Sequence, residues 1–226
     1  MDGVVSGRPT TGRGQQATEV ARGQRSATSD PPPAAAVEGT ATDHFGRHAA
    51  LENTAAVGNP SPVLDLHARA RAVRLVLTDS DGVLTDNGVY YSARGEEMKR
   101  FSIRDGMGVE RLRKLAGVEV GIITGEISGA VEQRAAKLQI SELHLGIKDK
   151  ANLLDQILAR TGLEPREVAF IGDDTNDVEI MGRVGLAGCP ADATPFARAA
   201  AHFVCPSQGG HGAFRDFAEL IIAAKG

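Results

Sequence analysis

The stretch Val73-Arg74-Leu75-Val76-Leu77-Thr78-Asp79-Ser80-Asp81-Gly82-Val83-Leu84-Thr85 decides the fold. A short apolar run that ends in a glycine turn reads as a buried strand, and two carboxylates stand one residue apart where the chain leaves it. Such a pair suits a site in which one carboxylate accepts a phosphoryl group and the other moves protons. Outward from this stretch, apolar runs at 118–124, 142–147, 168–172, 185–189 and 202–205 alternate with helix-period segments at 106–116, 127–138, 149–161, 175–183, 194–200 and 212–224. The alternation predicts an α/β protein with a Rossmann-like, doubly wound, mostly parallel sheet. Ligands of such sheets collect at the carboxyl ends of the strands. The residues expected there are Asp79 and Asp81 after the first strand, Thr124 after the second, Lys150 soon after the third, and Asp173, Asp174 and Asp177 after the fourth.

These residues make one physical argument. Two carboxylates about 4 Å apart repel by roughly 4 kcal/mol at an effective dielectric near 20, so Asp79, Asp81, Asp173 and Asp177 in one crevice call for a cation. Hard oxygen donors that leave positions open for water and phosphate favour Mg²⁺. Thr124 and Lys150 supply a hydroxyl and an ammonium for the phosphoryl oxygens, whose charge must be held in the transition state. Taken singly, each feature has a plainer reading: an Asp-Gly turn, a strand end at Thr124-Gly125, a helix cap at Asp174. Their order on successive strands is what carries the functional reading. A receiver-type signalling domain also gathers acids, a Thr and a Lys around Mg²⁺, but its phosphoacceptor belongs on a middle strand, with the acidic pair on the first. Here the second acidic cluster follows the fourth strand.

The order Asp79-x-Asp81-Gly82-x-x-Thr85, Thr124, Lys150 and Gly172-Asp173-Asp174-x-x-Asp177 resembles the four motifs of the haloacid dehalogenase superfamily of phosphohydrolases. The resemblance implies that Asp79 is the nucleophile, forming an aspartyl phosphate, and that Asp81 protonates the leaving oxygen and then activates water. It also implies that the Asp79 side chain, the Asp81 backbone carbonyl and Asp173 hold Mg²⁺, and that Asp174 and Asp177 orient Lys150 and metal-bound waters. The stretches from Asp86 to Thr124 and from Lys150 to Asp173 leave no room for a cap domain. Within the superfamily the chain is similar to the capless phosphatases of 3-deoxy sugar acids, through Asp79-Ser80-Asp81-Gly82-Val83-Leu84-Thr85-Asp86, Arg104-Asp105-Gly106-Met107-Gly108 and Gly209-Gly210-His211-Gly212-Ala213-Phe214-Arg215. The octulosonate 8-phosphate branch usually carries Arg where Glu126 and His211 stand. The ketodeoxynonulosonate 9-phosphate branch is similar at Glu126, Arg134 and Lys137. The nine-carbon substrate, ketodeoxynonulosonate or N-acylneuraminate 9-phosphate, is therefore the first expectation and the eight-carbon one the alternative. Glu126 suits sugar hydroxyls, and Arg134 or Lys137 the substrate carboxylate.

Residues 87–103 read as two strands around an Ala93 to Glu96 turn, a projecting hairpin that is marginal alone in water. We expect it to pack on a neighbouring subunit, and the resemblance implies a tetramer. Composition bounds the rest. The 226 residues, 42% hydrophobic, can fill one core. A net charge of -4 with scattered Lys and Arg predicts a small phosphorylated sugar acid as partner rather than nucleic acid or membrane. Two cysteines, Cys189 and Cys205, without metal-ligand spacing suit a reducing compartment, and with no secretory h-region the cytoplasm is expected. Residues 1–62, rich in Gly, Ala, Thr and Pro, are expected to be a disordered tail before a phosphatase domain at 63–226, with a short leading helix over 63–72.

Overall fold

A computed structural model describes residues 62–226, so the expectation for the N-terminal tail lies outside the described residues. The elements run α1 (Pro62–Ala72), β1 (Leu75–Thr78), β2 (Thr85–Ser92), β3 (Gly95–Phe101), α2 (Ile103–Arg111), β4 (Glu119–Ile123), α3 (Gly129–Lys137), β5 (Glu142–His144), α4 (Lys150–Thr161), β6 (Val168–Ile171), α5 (Val178–Met181), β7 (Leu186–Cys189), α6 (Pro195–Ala200), β8 (Phe203–Val204) and α7 (Ala213–Lys225). Six strands form one sheet in the order β5-β4-β1-β6-β7-β8, every pair parallel. From β1 the chain builds outward through β4 and β5, then returns through β6 to the other side of β1. That reversal opens a crevice above β1, β4 and β6.

Alternation along the central strands builds both cores. Val76, Ala169 and Ile171 face one side with Val109, Val131, Phe214 and Phe217, beneath α1, α2, α3 and α7. Leu75, Leu77, Val168 and Phe170 face the other with Leu154, Ile157, Ile180 and Met181, beneath α4, α5 and α6. Strands covered on both faces read as near-continuous apolar runs, which is why they stand out in the sequence. No helix among the described residues is long and apolar enough to cross a membrane.

Some boundaries differ from the sequence reading. Helix α2 starts at Ile103 rather than 106, because the Ser102 hydroxyl accepts from the Asp105 amide as an N-cap, and it continues through a π-turn over Leu112–Ala116. The helix expected over 175–183 is a 3-10 turn at Thr175–Asp177 followed by the four residues of α5. Strand β5 stops at His144 instead of 147, since Gly146 and Ile147 turn back to the carbonyls of Glu126 and Thr124. The hairpin forms a separate two-stranded antiparallel sheet, reversing at Ala93-Arg94 rather than across Ala93 to Glu96. Its outer residues Tyr90, Tyr91 and Met98 are exposed.

Candidate active site

The crevice above β1, β4 and β6 is a cavity of about 290 Å³ whose wall includes Asp79, Asp81, Thr124, Glu126, Asp173 and Asp174. Asp79 leaves the sheet at the end of β1. Its amide donates to the Ile171 carbonyl at 3.0 Å, and its Oδ1 accepts from the Ser80 amide at 2.7 Å. Lys150, the first residue of α4, lies beneath it with its side chain 1% exposed, its Nζ 3.1 Å from Asp79 Oδ1 and 2.6 Å from Asp177 Oδ1. Two of three ammonium protons are thereby engaged, and the ammonium also lies 5.7 Å from the centroid of the Phe170 ring. Burial alone would push Lys150 down, but Asp79 and Asp177 outweigh it and hold the ammonium above its usual value.

Asp177 clamps the loop after β6. Its Oδ2 accepts from the amides of Asp173 at 2.9 Å and Asp174 at 3.3 Å, while Oδ1 takes Lys150. Asp174 caps the 3-10 turn by accepting from the Thr175 amide. Carboxylate oxygens of Asp79, Asp173 and Asp177 lie within 4.8 Å of one another. Burial, opposed by Lys150 but reinforced by Asp177 and Asp173, pushes the Asp79 carboxyl up to about 7. Burial also pushes Asp173 up to about 7, against a hydrogen bond from Asn87 and with Asp177 and Asp174 adding to the rise. One lysine does not balance this charge. The donor set is all hard oxygen and under-neutralised, so a divalent cation fits it, with Asp79 and Asp173 as the carboxylates on the cavity wall and Asp177 fully buried behind them.

Other groups finish the wall. Thr124, buried at the end of β4, accepts from the Glu126 amide at 3.3 Å. Glu126 faces the cavity, with Lys148 Nζ 3.8 Å away. Arg134 and Lys137 do not reach this chain's cavity. Arg134 donates to the Ser102 carbonyl at 2.7 Å and lies over the Phe101 ring, while Lys137 borders a separate surface groove with Glu110.

Sequence reasoning missed three residues. Asn87 adopts a left-handed φ of 62° at an irregularity in β2, which turns its amide to donate to Asp173 Oδ2 at 3.1 Å. Asn tolerates that region better than most residues, and an Asn-Gly pair is its signal. Lys99 of β3 donates to both oxygens of Asp81 at 2.8 and 2.7 Å. Lys148 lines the cavity mouth and donates to the Gly125 carbonyl. The terminal glycine segment straps the loop after β1, with the Gly210 amide donating to the Val83 carbonyl at 2.9 Å. A Cβ on Gly209 would lie 1.9 Å from the Gly82 carbonyl oxygen, so only glycine permits that approach. His211 turns back on the Gly209 carbonyl, His202 accepts from the Ala187 amide, and Cys189 and Cys205 are buried and free.

With an aspartate pair at the end of the first strand, a threonine after β4, a buried lysine opening α4 and an acidic loop after β6, the fold and its crevice are those of a phosphatase. The haloacid dehalogenase-like hydrolase family profile matches residues 112–215. The 3-deoxy-D-manno-octulosonate 8-phosphate phosphatase KdsC of Yersinia pestis is 40% identical over 161 residues, covering 71% of this chain and 86% of that protein. The Moraxella catarrhalis 3-deoxy-D-manno-octulosonate 8-phosphate phosphatase, solved with magnesium, phosphate and KDO, superposes with a TM-score of 0.69 at 32% identity, covering 71% of this chain and 92% of that one. The cobalt-bound deoxy-D-mannose-octulosonate 8-phosphate phosphatase of Haemophilus influenzae gives 0.67 at 33% identity, over 70% and 91%. The chain belongs to the haloacid dehalogenase-like hydrolase family and is a phosphatase.

Proposed function

We propose that this chain removes the phosphate of a 3-deoxy sugar acid, with 3-deoxy-D-manno-octulosonate 8-phosphate as its substrate, in a Mg²⁺-dependent reaction through an aspartyl phosphate on Asp79. The observation that carries the reading is that Asp79, Asp81, Thr124 and Asp173 share one cavity at the strand ends. Relatives that act on the eight-carbon substrate support it over the nine-carbon expectation from sequence. The nine-carbon nonulosonate 9-phosphate stays as a second reading on one observation: Glu126 stands on the cavity wall as a hydroxyl acceptor.

Asp79 attacks phosphorus as the bond to the sugar oxygen breaks, and Asp81 gives that oxygen its proton. Water then attacks the phosphoryl group on Asp79, passing a proton to Asp81, and phosphate leaves. Thr124 and the remaining Lys150 proton hold equatorial oxygens through both steps. Mg²⁺, held by Asp79, Asp173 and the Asp81 carbonyl, would neutralise charge between nucleophile and phosphate.

A cavity of about 290 Å³ lies at the small end of ligand clefts, which run from about 300 to 1,000 Å³. It takes the phosphoryl end and leaves the sugar acid to be enclosed by something else. The exposed Tyr90, Tyr91 and Met98 support a hairpin that packs on a neighbouring subunit of a homo-oligomer, a tetramer by the resemblance, in which neighbours supply that wall and Arg134 and Lys137 serve the substrate carboxylate of an adjacent site. The test is phosphate release from eight- and nine-carbon phosphorylated sugar acids with Mg²⁺ and with EDTA. Activity is expected only with metal, with the higher kcat/KM on the eight-carbon substrate, and Asp79→Asn is expected to lose at least about 10³-fold in kcat. Activity surviving in Asp79→Asn would refute the nucleophile assignment.

A further inference from the structure

Lys99 belongs to the hairpin, yet its side chain is 1% exposed on a strand whose neighbours Met98 and Arg100 are exposed. It is absent from the wall of the cavity that takes the phosphoryl end, and the charged partners of its ammonium are carboxylates of this chain. Its Nζ lies 2.8 and 2.7 Å from the two oxygens of Asp81 and 3.5 Å from Glu96 Oε2. Glu96 in turn accepts from the Ser128 hydroxyl at the start of α3. A buried ammonium is retained only when such partners offset its desolvation. The result is a chain of contacts, Asp81–Lys99–Glu96–Ser128, that ties a carboxylate on the nucleophile loop to the hairpin and to a core helix. Among the described residues Asp81 has one other side-chain hydrogen bond, from the Thr85 hydroxyl at 3.4 Å. Contacts from one ammonium to both carboxylate oxygens keep the group from swinging either oxygen away, which a single bond does not.

We propose that Lys99 is a positioning residue for catalysis: from the hairpin it holds the Asp81 carboxylate in the orientation that serves both proton transfers. This rests on the aspartyl-phosphate reading above and adds a role for the hairpin. Misplacing a reacting group by about 1 Å costs on the order of 100-fold in rate, so the contribution is large enough to measure.

The test uses the full chain with Mg²⁺ and compares wild type, Lys99→Met and Lys99→Arg on 3-deoxy-D-manno-octulosonate 8-phosphate and on p-nitrophenyl phosphate. On the sugar phosphate, Lys99→Met is expected to lose about 10- to 100-fold in kcat with KM within threefold. On the aryl phosphate the leaving group departs with little need of a proton, so Asp79 is still phosphorylated, while water attack, which needs Asp81 as base, slows. Nitrophenolate should therefore appear as a burst of about one per site before a slow steady state. A general loosening of the fold would lower both phases together and give no burst. Lys99→Arg, which keeps the charge and paired donors, is expected to restore most of kcat. Should Lys99→Met fail to fold, Glu96→Gln decides: it releases the far anchor and should lower kcat two- to fivefold with the same burst on the aryl phosphate. Wild-type kinetics in whichever variant decides, or a loss of kcat without a burst, overturns the inference alone. A wild-type chain silent on both phosphates overturns the functional reading and this with it.

Discussion

Gly82 brings the loop after β1 into close contact with Asp173, the carboxylate proposed to hold metal. Its φ is +80°, and a Cβ there would sit 2.0 Å from Asp173 Oδ2 and 2.6 Å from Asn87 Nδ2. An alanine would carry about 1–2 kcal/mol of backbone strain. It would also have to displace Asp173 from Asn87, and displaced partners around a metal site cost about 10- to 100-fold in affinity or activity. Gly82→Ala is therefore expected to raise the Mg²⁺ concentration needed for half-maximal phosphatase activity by at least tenfold while the protein still folds. A Mg²⁺ titration of activity beside a melting curve checks this, and an unchanged titration midpoint would show that Asp173 does not need its present position. The same residue explains why Asp-Gly is read so readily as a mere turn: the turn is real, but the glycine is also required by a carboxylate 91 positions further along.

At the scale of elements, α4 carries the buried lysine on its first residue, where the helix dipole opposes a cation. Asp79 and Asp177 offset that, and Asp149 fixes the helix start, its carboxylate accepting from the Asn152 amide at 2.8 Å. Asp149→Ala removes an N-cap, worth about 1 kcal/mol. Urea unfolding should show that loss with kcat changed less than threefold, since Leu153, Leu154 and Ile157 still seat α4 in its core. A loss above about 3 kcal/mol would mean that the cap does more than end the helix. Elements of this kind were legible in the sequence where one local signal sufficed. The central strands stood out because both faces are buried, and Asp79, Thr124, Lys150 and Asp173 stood out because strand ends place them. Lys99 was not legible. Among Glu96, Glu97 and Arg100 it reads as part of a solvated charged face, and only the hairpin's fold-back brings it to Asp81. Helix α2 starts ahead of position 106 because the Ser102 hydroxyl caps it there, a contact that apolar spacing does not reveal. The resemblance and the match of guanidinium to carboxylate make Arg134 a carboxylate ligand, but neither reveals that the Ser102 carbonyl and Phe101 ring hold it.

For the molecule as a whole, the acidic crevice sets how stability responds to pH and metal. Asp79 and Asp173 move from 3.8 to about 7 on folding, so the metal-free folded state binds these protons more tightly than the unfolded chain does. Their stabilising contribution is complete below 3.8 and is lost as pH rises through about 7. Asp105, pushed up mainly by burial, acts in the same direction. His202, pushed down by burial, acts oppositely, since its contribution is present above 6.5 and lost as pH falls. Glu97, Glu142, Glu167 and Glu219 are held below 4.5 and are ionised throughout the range from pH 5 to 8, so they add no slope there. In EDTA the melting temperature is therefore expected to fall between pH 5 and pH 8. Mg²⁺ binds the ionised carboxylates, so its stabilisation has the opposite pH dependence. At about 100 times its Kd it adds about 2.7 kcal/mol, roughly 5–10 °C for a domain of this size, and it should do so at pH 8 far more than at pH 5. Asp173→Asn, which removes one of the two strongly shifted carboxylates, should reduce the slope of the EDTA profile while leaving the part due to Asp79 and Asp105, and should abolish most of the Mg²⁺ response. Melting curves at four pH values with and without Mg²⁺ decide the matter: a profile flat in EDTA and indifferent to Mg²⁺ at pH 8 would mean that these aspartates do not share one under-neutralised site.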